Sequence, residues 1–214
     1  MTTFLIVRHG QSVANEMGIL AGVTDHELTS LGHKQAEITA EYIAQNYKVD
    51  AVYTSPLCRA KETAEHTSEK LGLNLQIATG LHEISTGDWN NRKFDDLVKE
   101  YPEEYGVWLN DIGNSQCPNG ENPNDVQKRV IGTLLDIAKE NEDKTVAVFS
   151  HGMAIRCAEA VWQHKDIKDL KDIPWVTNAS LTVVEYSEET GFNLVKRSID
   201  EHLEECRTFL PANC

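Results

Sequence analysis

Short apolar runs alternate with helix-length segments along most of this chain, and that alternation limits its fold more than any other feature. Four of the short runs are predicted to form β-strands: 4–7, 49–53, 73–77 and 145–149. Four longer segments are predicted to form α-helices: 29–47, 55–72, 122–140 and 152–162. Repeated strand-then-helix order is typical of a layered fold with a largely parallel sheet.

Local signals at the helix ends support these boundaries. Thr29 or Ser30 can cap the first helix, and Ser55-Pro56 and Asn122-Pro123 each place a capping side chain directly before a proline. Ser and Asn side chains accept hydrogen bonds from the first free N–H groups of a helix, and proline suits the first helical position. Gly72 then ends the second helix.

The remaining segments complete the predicted architecture. Residues 181–186 and 192–199 alternate in polarity around a turn at 189–191, which predicts a closing hairpin. Residues 82–121 are irregular but rich in aromatics, which favours loops and short helices that cover the protein. We predict an α/β fold, a three-layer α/β/α sandwich with a mostly parallel central sheet. It forms a single domain of residues 1–214 with a cap-like insertion at about 82–121.

Charge and cysteine content limit the partners and the compartment. The formal net charge of −14 argues against nucleic acid or an anionic membrane as a partner. Five cysteines without a CxxC pair favour a reduced, cytoplasmic protein: Cys58, Cys117, Cys157, Cys206 and Cys214. The apolar run at 4–7 is too short for a signal peptide.

Arginine and histidine side chains follow three of the predicted strands. Arg8 and His9 come after the first, Arg59 lies shortly after the second, and His151 follows the strand at 145–149. Ligands of such sheets bind outside the carboxyl ends of the strands, so these four side chains are expected to meet there. Together they would give an acidic protein a local site for an anion.

The same residues carry a family resemblance that covers roughly residues 1–185. Arg8-His9-Gly10 after an N-terminal strand resembles the signature of the histidine phosphatase superfamily, also called phosphoglycerate-mutase-like. Further motifs follow in that family's order: Ser12 and Asn15, Leu28-Thr29-Ser30-Leu31-Gly32, Tyr53-Thr54-Ser55-Pro56-Leu57-Cys58-Arg59-Ala60, Leu81-His82-Glu83-Ile84 and Ser150-His151-Gly152. Five motifs in order make the resemblance specific.

The resemblance implies a histidine acid-type phosphatase that hydrolyses small phosphorylated substrates through a phosphohistidine on His9. Arg8 and Arg59 would bind the phosphate in their fork geometry, and Glu83 would exchange protons with the leaving alcohol and with water. His151 would stabilise the charge of the transferring group. Ser12 and Asn15 would either donate to the phosphate or cap the first helical turn. No metal and no cofactor are implied, and a homodimer is possible.

Other functional roles and motifs can be considered for these and neighbouring residues. Asp88 is an alternative proton donor to Glu83. The four tryptophans are expected in the core or as cover, and Trp89, close to Glu83, is the one best placed to be an exception and touch a substrate. His26-Glu27 and His82-Glu83 begin like the zinc motif HExxH, but neither has the second histidine. Neither a phosphate-binding P-loop nor the cysteine–arginine spacing of a cysteine-dependent phosphatase is present.

A cofactor-dependent phosphoglycerate mutase is the main alternative within the family. The mutases resemble this chain less, because they are longer after the acidic motif and carry the string ERHYG there. Residues 83–89 instead resemble the ExxxGxW form of the broad phosphatase branch. A module that binds phosphorylated ligands without turnover is a further alternative, which the intact set of charged and histidine residues disfavours.

Overall fold

The computed structural model describes residues 1–208, and Cys214 lies outside them. The described part of the chain contains eight β-strands: β1 Thr2–Arg8, β2 Ile19–Leu20, β3 Ala51–Thr54, β4 Leu75–Ile77, β5 Arg92–Lys93, β6 Thr145–Ser150, β7 Leu181–Ser187 and β8 Gly191–Ile199. The same residues form seven α-helices: α1 Val13–Met17, α2 Ser30–Asn46, α3 Cys58–Leu71, α4 Phe94–Glu100, α5 Glu104–Asn110, α6 Pro123–Glu140 and α7 Gly152–Trp162.

Six strands form the central sheet in the order β4-β3-β6-β1-β7-β8. The first four run parallel, whereas β7 is antiparallel to β1 and pairs with β8 as a hairpin. Strands β2 and β5 make a separate two-stranded sheet. The predicted mostly parallel sheet and its closing hairpin are therefore confirmed.

Both faces of the sheet are covered, as a three-layer sandwich requires. Along β1, Phe4 and Ile6 point to one side and pack in a cluster with residues of α6 and α7. Leu5 and Val7 point to the other side and pack with residues of α2 and α3. Successive side chains of a strand face opposite ways, so an unbroken apolar run is what a strand covered on both faces needs.

The helix starts follow the predicted signals at two of three sites. Thr29 accepts a hydrogen bond from the Gly32 amide at 3.0 Å, and Asn122 caps α6 with Pro123 as its first residue. The predicted start at Ser55-Pro56 is wrong, because α3 begins at Cys58 and has no side-chain cap. The Ser55 hydroxyl instead lies 2.7 Å from Nε2 of His151 and accepts from the Leu57 amide.

Residues between β4 and α6 contain only short elements, including 3₁₀ turns at 79–81, 87–89 and 112–114. Trp89 is completely buried at the centre of this region, with ring centroids of Tyr101, Tyr105 and Trp108 within 5.4–6.1 Å. Trp89 therefore has the core position that is expected of the tryptophans in general. Its indole organises the region from inside, where aromatic rings bury the most apolar area.

Among the described helices, none combines the length and the apolar content that a membrane span requires. The four cysteines within residues 1–208 are free thiols.

Two glycines let the loop after β1 approach the start of α2. A Cβ added at Gly10 would lie 2.5 Å from the Gly32 carbonyl oxygen, and one added at Gly32 would lie 2.1 Å from the Gln11 carbonyl oxygen. Both contacts are with backbone, which cannot rotate away. This close approach holds the loop after His9 against the helix.

We predict that Gly32→Ala lowers the free energy of unfolding by about 2 kcal/mol or more, because the backbone must move apart. Gly132→Ala is the matched control, since an added Cβ there meets nothing within 4 Å of this α6 position. That variant should raise stability by about 0.5–1 kcal/mol, as glycine is the poorer helix former. Urea unfolding of both variants measures the two changes in the free energy of unfolding, and equal changes would contradict the prediction.

Candidate active site

A cavity of about 70 Å³ opens at the carboxyl ends of β1 and β6. Its wall includes most of the predicted site residues: Arg8, His9, Ser12, Asn15, Arg59 and Glu83. Most of its other large side chains are apolar: Ile19, Leu20, Ile84, Phe94, Trp108, Met153 and Trp175. His151 is not part of the wall, but its ring centroid lies 5.2 Å from that of His9.

His9 directly follows β1 and is 3% exposed. Its Nδ1 lies 2.7 Å from the Gly10 carbonyl oxygen, which can only accept, so Nδ1 carries the proton and donates. That tautomer leaves a lone pair on Nε2. Burial, and then the charges of Arg59 and Arg8, hold the pKa of His9 well below 6.5, so the ring is neutral at neutral pH. The sequence predicts the neighbouring cations, but burial lowers the pKa of His9 more than they do.

Arg8 and Arg59 are both buried, at 4% and 2% exposure. Arg8 donates from Nη1 to the Val176 carbonyl at 2.6 Å. Arg59 donates to the carbonyls of Thr24 and Gly22 at 3.0 and 2.9 Å. A guanidinium has five N–H groups, so such backbone bonds fix its orientation without using all of its donors. The two cations thus lie on the cavity wall in set positions.

Glu83 lies at the N-terminus of α7. Its carboxylate accepts from the backbone amides of Met153 and Ala154, each at 3.1 Å, and from that of Ile84 at 2.9 Å. His151 is the N-cap of α7 but provides no side-chain cap, so Glu83 satisfies amides that would otherwise be unpaired. The contact joins the acidic motif to the second histidine motif.

Asp88, the alternative proton donor, is placed elsewhere. It is exposed, accepts from the Asn119 side chain at 2.9 Å, and does not line the cavity. The structure therefore separates two carboxylates that the sequence left as alternatives, and Glu83 is the one at the site.

His151 is fully buried, and its Nε2 lies 2.7 Å from the Ser55 hydroxyl. Burial, followed by the nearby charges of Arg59 and His9, lowers the pKa of His151 well below 6.5. The ring is neutral in this state at neutral pH. A phosphate dianion beside it would favour protonation.

Ser12 and Asn15 both line the cavity and also form the cap of α1. The Ser12 hydroxyl accepts from the Asn15 backbone amide, and the side-chain oxygen Oδ1 of Asn15 accepts from the Ser12 backbone amide at 3.1 Å. The same Asn15 oxygen accepts from the Asn178 side chain at 3.2 Å. The capping alternative is thus confirmed, and it orients both side chains at the cavity wall.

Arg129 is an organising residue that the sequence did not reveal. From α6 it donates to the carbonyls of Gly80, His82 and Glu83 and forms two bonds with the Glu121 carboxylate. Glu121 also accepts from the Ser85 amide at 2.8 Å. The pair fixes the backbone on both sides of Glu83, and no motif or spacing connects Arg129 with that segment in the sequence.

A neutral histidine near two buried arginines, in a cavity that a carboxylate also lines, is suited to a phosphoryl group. Within residues 1–208, no group of three or more His, Cys, Asp or Glu side chains is arranged to hold a metal ion. The site and the sheet topology together define a class of α/β proteins that bind phosphate with arginine and histidine.

Comparison with known proteins identifies the family. The profile of the histidine phosphatase superfamily (branch 1) matches residues 4–199, and the chain belongs to that superfamily. It is 29% identical over 205 residues to phosphoserine phosphatase 1 of Hydrogenobacter thermophilus, covering 96% of each chain.

Solved structures agree on the fold. Bacillus stearothermophilus YhfR superposes with a TM-score of 0.90 at 25% identity, over 95% of this chain and all of that one. A phosphoserine phosphatase of Entamoeba histolytica, solved with phosphoserine, has a TM-score of 0.80 at 28% identity, over 95% of this chain and 100% of its own. The predicted family and its phosphoglycerate-mutase-like fold are confirmed.

Glu121→Gln is predicted to destabilise the protein at neutral pH by about 1–2 kcal/mol, because a charge-assisted pair with Arg129 is lost. Burial acts to raise the pKa of Glu121, but the bonds from Arg129 and Ser85 outweigh it and hold that pKa below the ordinary 4.5. A lowered folded-state pKa stabilises above pH 4.5, and this contribution disappears as the pH falls through the folded value.

The stability difference between the native chain and Glu121→Gln should therefore be constant above about pH 5 and shrink below pH 4.5. Urea unfolding at a series of pH values measures it. Asp88→Asn, at an exposed carboxylate, serves as the control. A difference that is independent of pH down to the acid unfolding region would contradict the assignment.

Proposed function

We propose that this protein is a metal-independent phosphomonoesterase of the histidine acid type that hydrolyses small phosphorylated metabolites through a phosphohistidine on His9. One observation carries the proposal: His9 presents an unprotonated Nε2 to a cavity walled by two buried arginines and a carboxylate. The names of the relatives, phosphatases among them, agree with this reaction class.

The first step would be transfer to the protein. Arg8 and Arg59 bind the phosphate oxygens, assisted by the Ser12 hydroxyl and the side-chain nitrogen of Asn15. The two arginines offset the negative charge that repels a nucleophile. Nε2 of His9 attacks phosphorus, the bond from phosphorus to the alcohol oxygen breaks, and protonated Glu83 gives its proton to that oxygen.

The second step would release phosphate. Water attacks the phosphohistidine, Glu83 takes its proton, the P–N bond breaks, and the electron pair returns to Nε2 of His9. His151, protonated in the presence of phosphate, stabilises the transferring group in both steps. No cofactor enters either step. The lowered pKa of His9 supports the acid-type assignment, since the nucleophile stays unprotonated below pH 6.5.

The insertion at about 82–121 is proposed to act as a cap within one histidine phosphatase domain. Phe94 of α4 and Trp108 of α5 reach the cavity from this region. Together they would limit which leaving groups enter. A phosphoglycerate mutase is the weaker alternative, since the only arginines on the wall are Arg8 and Arg59, and no other described side chain there is basic apart from His9.

His9→Ala is predicted to lower the hydrolysis of p-nitrophenyl phosphate by at least about a thousandfold, because the nucleophile is absent. Activity of the native chain should persist in EDTA. His33→Ala, at an exposed histidine of α2, is the matched control and should retain activity. Hydrolysis at the native rate by His9→Ala would refute the mechanism, and a dependence on 2,3-bisphosphoglycerate would favour the mutase.

Glu83→Gln is predicted to slow hydrolysis by about 10²–10⁴-fold for an alkyl phosphate, whose alcohol must be protonated as it leaves. The first step with p-nitrophenyl phosphate should be affected far less, because p-nitrophenolate leaves without a proton. Burst kinetics with the two substrates distinguish the effects. Asp88→Asn is the control, and equal losses for both leaving groups would exclude Glu83 as the proton donor to the alcohol.

A further inference from the structure

We propose that Trp175 is a specificity-determining residue that selects phosphate esters of apolar, preferably aromatic, alcohols over those that carry a second charge. The inference rests on the proposed phosphatase function and adds the class of leaving group. It follows from the charge distribution of the cavity and from the way in which the Trp175 segment is held.

Few charged groups line the cavity, and most of its wall is apolar. Within residues 1–208 its cations are Arg8 and Arg59, beside His9, and its only carboxylate is Glu83. The rest of the wall is mainly apolar, including the indoles of Trp108 and Trp175 and the ring of Phe94. A carboxylate on the leaving group would lose its hydration there without a cation to pair with, which is costly. An apolar alcohol would gain from the same transfer.

Trp175 lies close to Arg8 on the cavity wall. A Cβ added at Gly152, the first residue of α7, would lie 3.3 Å from the Trp175 ring and 3.5 Å from Nε of Arg8. The indole and the guanidinium therefore flank the same helix start. An alcohol leaving from a phosphate bound at Arg8 and His9 would contact this indole.

Three arginines fix the backbone on both sides of Trp175. Arg156 donates to the carbonyls of Leu170 and Ile173, Arg8 to that of Val176, and Arg197 to that of Pro174. Four carbonyls of residues 170–176 are thus bound by side chains, where a surface loop would use water. Arg197 is paired in turn with the buried Glu159.

Arg156 also lies over the indole itself. Its guanidinium carbon is 4.4 Å from the Trp175 ring centroid, a cation–π contact. Burial lowers the pKa of Arg156 to about 10, so the side chain stays charged at neutral pH. Arg156 does not line the cavity, so it is a positioning residue for Trp175.

The proposal predicts a preference that differs from the names of two relatives, which are phosphoserine phosphatases. Phosphoserine carries an ammonium and a carboxylate near its phosphate. If Arg8 and Arg59 bind the phosphate, no further arginine or lysine among the described residues of the wall is there to pair with the carboxylate. Phosphoserine should therefore be a poor substrate of this protein.

The test compares 3-phenylpropyl phosphate, ethyl phosphate and phosphoserine, whose alcohols leave with similar difficulty. We expect kcat/KM of the native chain to be highest for 3-phenylpropyl phosphate. Trp175→Ala should reduce its ratio to the ethyl ester by on the order of tenfold, the effect of losing one aromatic contact. Trp175→Phe keeps an aromatic ring and should retain most of the ratio.

Arg156→Lys keeps the charge but loses the planar donors, and should raise KM for 3-phenylpropyl phosphate more than for ethyl phosphate. Lys171→Ala is the matched control, an exposed cation on the 3₁₀ turn Ile167–Asp172 that precedes Trp175 in the chain. Thermal unfolding of each variant shows whether it is folded, and a change in the ratio between two substrates does not follow from a loss of folded protein.

A native chain that hydrolyses none of the three esters would refute the proposed function itself. A working phosphatase that prefers phosphoserine, or whose substrate ratio is the same in Trp175→Ala, would overturn only the role of Trp175. A ratio that falls in Trp175→Ala, partly returns in Trp175→Phe, and is unchanged in Lys171→Ala would support it.

Discussion

The contact of the Glu83 carboxylate with the start of α7 joins the parts of the site. Helix α7 begins directly after β6 with no side-chain cap from His151, so its first amides need an acceptor from elsewhere. Glu83 provides it from a loop whose own backbone is held by Arg129. The acidic group and the second histidine therefore keep a fixed relation, which the proposed reaction with two proton transfers would require.

Local cations, not the overall field, make an anion site in a protein with a net charge of −14. Two buried guanidinium groups, those of Arg59 and Arg156, donate to backbone carbonyls. A carbonyl orients a cation without neutralising it, so Arg59 keeps the charge that the proposed phosphate binding would use. The same burial holds the pKa of His9 low and preserves its lone pair.

Much of the fold, and the arginines and histidines of the site, could be predicted because they depend on local patterns. The apolar run before Arg8, the Thr29 and Asn122 caps, and the strand before His151 each act over a few residues. The start at Ser55-Pro56 failed for the opposite reason. Its hydroxyl bonds to His151, almost a hundred residues away, and the helix therefore begins at Cys58.

The sequence by itself determined the layered α/β fold, the family, and the set of Arg8, His9, Arg59 and His151 at strand ends, because periodicity and motif order are local properties. Only the tertiary structure chose Glu83 over Asp88, buried Trp89 in the core, and placed Trp175 at the cavity. Those outcomes depend on contacts between distant segments, such as Arg129 with the acidic motif and Arg156 with Trp175. Packing of the whole chain decides such contacts, and no short pattern records them.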